Sequence, residues 1–161
     1  MERAEQSVAQ SLRERILRAR PDWREALQLT AGGEHPVLTL ASPHCESHTM
    51  SIEVLPTGTT ISYSDGHPPG PAEVLFDWER ETVDDGFDAV AEYLDELVRG
   101  EILLVREGLS KLTQFLRRHD CRSLLWFVTR EEFDCWSLRR CRRVLQVWTV
   151  GDGAEVRNLN K

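Results

Sequence analysis

The sequence has no run of about 18 consecutive apolar residues, so it lacks the kind of segment that crosses a bilayer as a single helix. Its first residues, Met1-Glu2-Arg3-Ala4-Glu5, mix charges and lack the apolar core of a secretory signal. The expectation is a cytoplasmic protein without membrane contact. Cysteine is sparse and unpaired in spacing. Cys45, Cys121, Cys135 and Cys141 stand 76, 14 and 6 positions apart, with no two separated by two residues as in a zinc ribbon or finger. They read as reduced thiols, and no metal or cofactor is expected. Several local enzyme signatures are also missing: the glycine-rich phosphate cradle, the dinucleotide-binding glycine pattern, the nucleophile elbow and the paired-histidine zinc helix. Positive charge is in deficit. The chain holds 27 acidic residues against 20 basic ones, a net of -7, which argues against nucleic-acid binding driven by the field of the whole protein.

What is present suits a folded domain. The length of 161 residues fits one domain, with 40% apolar and 29% charged residues. A chain of this size removes about two-thirds of its unfolded surface from water, enough for a core without a metal or a disulfide. The charge is unevenly placed. Between Glu73 and Glu101 eleven acids face only Arg80 and Arg99, whereas Arg117 to Arg143 holds eight arginines against Asp120, Glu131, Glu132 and Asp134. These two poles neutralise each other across the fold, form simply solvated faces, or present a surface to a charged partner.

Periodicity outlines the elements. Val8, Leu12, Ile16 and Ala19 recur at helical spacing over Ser7 to Arg20, and Pro21 halts the helix. Ala26 to Thr30 reads either as part of a short second helix capped by Asp22 or as a strand. From Val37 to Trp78 the period becomes two, with apolar positions at Val37, Ile52 and Val54, Ile61 and Tyr63, and Val74, Phe76 and Trp78. Four strands of an antiparallel meander follow from this, the second and third joined by a tight turn at Pro56-Thr57-Gly58. A helix is expected from Asp84 to Arg99, capped near Thr82 or Asp84, with Phe87, Val90, Ala91, Leu94, Leu97 and Val98 inward and Gly100 ending it. Ile102 to Val105 is a continuous apolar run, as in a central strand buried on both faces. Leu109 to His119 fits a helix or a strand, Leu124 to Val128 a strand, Glu131 to Arg140 a helix, and Val144 to Val150 a last strand. The fold class expected is α+β: a single domain spanning 1–161, with a largely antiparallel sheet packed against two or more helices.

Three constellations carry chemistry. The acidic helix presents Asp88, Glu92, Asp95 and Glu96 opposite its apolar stripe, and Asp77 and Glu79 precede it, a set suited to meeting lysine or arginine on a protein partner. His44, Cys45 and His48 share one loop and His67 lies in another, residue types competent to ligate zinc or copper in a metal-assisted hydrolase. Against that stands the plain reading of a solvated polar loop. Arg139, Arg140, Arg142 and Arg143 surround Cys141, an arrangement open to phosphate and hence to nucleic acid, or to an acid elsewhere in the chain. A nucleophilic Cys45 or Cys121, the latter two residues from His119, is a further alternative that needs a base brought near by the fold.

Three features in succession, Phe76-Asp77-Trp78 closing the meander, the acidic helix Ala89-Val90-Ala91-Glu92-Tyr93-Leu94-Asp95-Glu96-Leu97, and Arg99-Gly100-Glu101-Ile102-Leu103-Leu104-Val105, give this chain a likeness. It resembles small bacterial immunity proteins that neutralise polymorphic toxins, over roughly Val37 to Arg106. The resemblance implies a non-enzymatic protein that binds a cognate toxin inside the producing cell, often by covering a cationic active site. The C-terminal third departs from it in being richer in arginine and cysteine.

Overall fold

The computed structural model describes residues 2–30, 33–41, 49–64, 72–78, 82–108, 123–140 and 144–148. Its class is α+β, with antiparallel strands and helices, as the sequence predicts. The chain divides into two compact units, Met1–Tyr63 with Glu73–Asp95, and Ser64–Ala72 with Glu96–Lys161.

The first unit opens with α1 (Glu2–Ala19), which begins five residues before the apolar periodicity does. The first turn is charged and offers only the small Ala4 ahead of Val8, too little to mark a stripe. Among its described side chains α1 buries Ala9, Leu12 and Ile16, at steps of three and four, while Val8 is only half-buried and Ala19 is exposed. Pro21 ends α1 and starts a short 3-10 turn, Pro21–Trp23, that seats Trp23 in the core. The chain then enters β1 (Leu27–Thr30), so the open choice at 26–30 resolves as a strand. The reason is pairing: Leu27 stands opposite Leu40 and Leu29 opposite Leu38, which brings the apolar alternation of both strands onto one face.

Strands β2 (Val37–Ala41), β3 (Thr49–Leu55), β4 (Gly58–Ser64) and β5 (Ala72–Asp77) complete an antiparallel meander in the order β1-β2-β3-β4-β5. Every second residue is buried, giving Leu38 and Leu40, then Met50, Ile52 and Val54, then Thr59, Ile61 and Tyr63. Helix α1 lies on this face. Helix α2 (Val83–Arg99) reaches it too, because Tyr93 meets Phe76 of β5 edge to face at 5.4 Å and Phe87 meets Trp78 at 5.6 Å. Gly100 follows α2 with φ of 71°, the left-handed conformation that terminates a helix at low cost only in glycine.

One inward position is polar. Thr59 is fully buried, and among the described residues its hydroxyl finds no hydrogen-bond partner. Burying an unpaired hydroxyl costs about 1–3 kcal/mol, so Thr59→Val, which keeps the shape and removes the hydroxyl, is expected to raise stability by about 1 kcal/mol. Urea unfolding of the two proteins measures it, and a less stable valine variant would show that the hydroxyl has a partner.

In the second unit β6 (Ile102–Gly108) lies between β7 (Ser123–Thr129) and β8 (Val144–Trp148), antiparallel to both. This is the central position expected of the apolar run, although the strand continues past it and also buries Arg106 and Glu107. Helix α3 (Arg130–Arg140) follows β7 directly. Its first turn is closed reciprocally: the Glu132 amide donates to Thr129 Oγ1 at 3.2 Å, and Glu132 Oε2 accepts from the Thr129 amide at 3.2 Å. Phe133 of α3 and Val128 pack on Leu103 and Val105. Of the sequence-based expectations, the alternative at Leu109 to His119 lies outside the described residues.

Candidate functional site

The acidic surface is built by helix α2, whose start is set by Thr82. The Thr82 hydroxyl accepts from the Asp85 amide at 3.2 Å and donates to Asp85 Oδ2 at 2.6 Å. From that cap the chain alternates acid and apolar at helical spacing. Phe87, Val90, Ala91, Leu94 and Leu97 are buried, and the acids lie off that stripe, Asp84, Asp88, Glu92 and Glu96 at steps of four with Asp85 and Asp95 beside them. Asp84, Asp85, Asp88 and Glu92 are exposed, while Asp95 and Glu96 are half-buried.

Two of the four candidate residues on the helix already have cations. Arg15 of α1 engages Asp88 with both carboxylate oxygens, Nε to Oδ1 at 2.7 Å and Nη2 to Oδ2 at 2.8 Å. Arg20 lies 3.9 Å from Asp95 through Nη1, holds Asp22 at 2.8 Å through Nη2, and stacks over Trp23 with its guanidinium carbon 5.3 Å from the ring centroid. The acidic pole is therefore partly neutralised within the fold by α1, while most of the arginine-rich segment 117–143, in which the sequence suggested a counter-charge, lies outside the described residues. Local spacing holds no signal for this, because Arg15 and Asp88 are 73 positions apart. Among the described residues no cation comes within salt-bridge distance of Glu92 or Glu96. The exposed Asp88–Arg15 pair contributes little to folding, about 0–1 kcal/mol, but it fixes where the carboxylate points.

The remaining candidates separate. Asp77 is exposed on β5, but on the face opposite Phe76, and it is Phe76 that packs against α2, so Asp77 belongs to the outer surface of the sheet and not to the helix stripe. Glu79 lies outside the described residues, as do His44, Cys45, His48, His67, His119 and Cys121. Of the arginine run, Arg139 and Arg140 close α3, and Arg142 and Arg143 lie outside the described residues. Cys135 on α3 is an exposed free thiol.

Chemically, the α2 stripe offers a fixed array of carboxylates on a rigid element, an arrangement that attracts and orients cations on a partner. No described helix is long and apolar enough to cross a membrane, and among the described residues no group of three or more His, Cys, Asp or Glu is placed to hold a metal ion. Comparison with protein-family models, with curated proteins and with solved structures finds no match to this chain.

Proposed function

We propose that this chain is a non-enzymatic binding protein that docks a basic protein partner through the acidic face of α2, in the manner of the bacterial immunity proteins it resembles. On this reading the partner is a toxin domain with a cationic surface, met in the cytoplasm of the producing cell. The observation that carries the reading is the division of α2 into two faces. One is committed to the core through Leu94 and Leu97, and the other leaves Asp84, Asp85, Asp88 and Glu92 exposed. Such a surface accelerates encounter and selects the partner's charge more than it adds raw affinity.

The intramolecular pairs decide which substitution tests it. Lysine at 88 or 95 would stand against Arg15 or Arg20 and disturb the fold as well as the surface. Glu92→Lys is free of that defect. With a partner recovered from the native cell, Glu92→Lys is expected to weaken binding by about tenfold or more at low salt, with an unchanged melting midpoint and a smaller effect as salt screens the surface. Association kinetics at two ionic strengths measure this. Normal binding by Glu92→Lys, or loss on changing Arg139 and Arg140 instead, would move the site away from α2.

A further inference from the structure

We draw no further inference here: the strongest candidate, the buried Arg106 and Glu107 beside the irregular pairing of β6 with β8, lies at the end of the three-stranded sheet whose adjoining segments, 109–122 and 141–143, fall outside the described residues, so nothing in the structure shows what meets these two side chains.

Discussion

Leu94→Ala is expected to cost about 2–5 kcal/mol of folding stability, whereas Glu92→Ala two residues away should change it by about 0.5 kcal/mol or less. Leu94 is fully buried and sits within the apolar stripe that runs from Phe87 to Leu97. Truncation removes the transfer free energy of the lost methyl groups and leaves a cavity. The walls cannot collapse freely. Up to this turn α2 is held by aromatic contacts, Phe87 on Trp78 and Tyr93 on Phe76, which resist a shift of the helix toward the sheet. Glu92 is exposed and unpaired among the described residues, so its removal takes away solvated atoms only. Denaturant titrations compared at equal slope decide between these outcomes. Similar losses for the two variants would mean that the buried and exposed faces of α2 have been exchanged.

Gly58→Ala carries the second large expected effect, a loss of about 1–3 kcal/mol by overpacking. Gly58 opens β4 immediately after the turn at Pro56 and Thr57, where β5 runs close beside it. A Cβ at Gly58 would stand 2.2 Å from the carbonyl oxygen of Phe76. That atom is backbone in a paired strand and cannot rotate aside as a flexible side chain would. The two strands must separate locally, which also strains the nearby bond from the Trp78 amide to the Thr57 carbonyl, 3.0 Å long. Stiffening of the unfolded chain by alanine offsets only about 0.4–1 kcal/mol of this. Thermal melts of the two proteins test it, and a midpoint equal to or above that of the parent would refute so close an approach of β4 and β5.

Much of the architecture was open to inspection in the linear pattern because the signals are local. Period two at Leu38 and Leu40 and again at Met50, Ile52 and Val54 marks strands with one buried face, and the stripe from Phe87 to Leu97 followed by Gly100 marks a capped helix. The apolar pattern alone shortens α1, since its first turn is charged and offers only the small Ala4 ahead of Val8. The start of α3 carried a readable sign that the apolar pattern alone overlooked, Thr129 three residues before Glu132, the spacing of a reciprocal cap.

The amino-acid sequence by itself determined the α+β class, the antiparallel meander, the two-faced α2 and the position of its acids, because burial period and caps are properties of neighbouring residues. Tertiary structure alone decided which acids keep a free charge and which surfaces remain open. Asp88 and Asp95 look equivalent to Glu92 along the helix, yet Arg15 and Arg20 claim them from α1. Asp77 looks like a forerunner of the acidic helix, yet strand alternation turns it to the other side of the sheet. The reason is physical: electrostatic pairing depends on distances of a few ångströms between residues that the chain separates by tens of positions, and no periodicity records them.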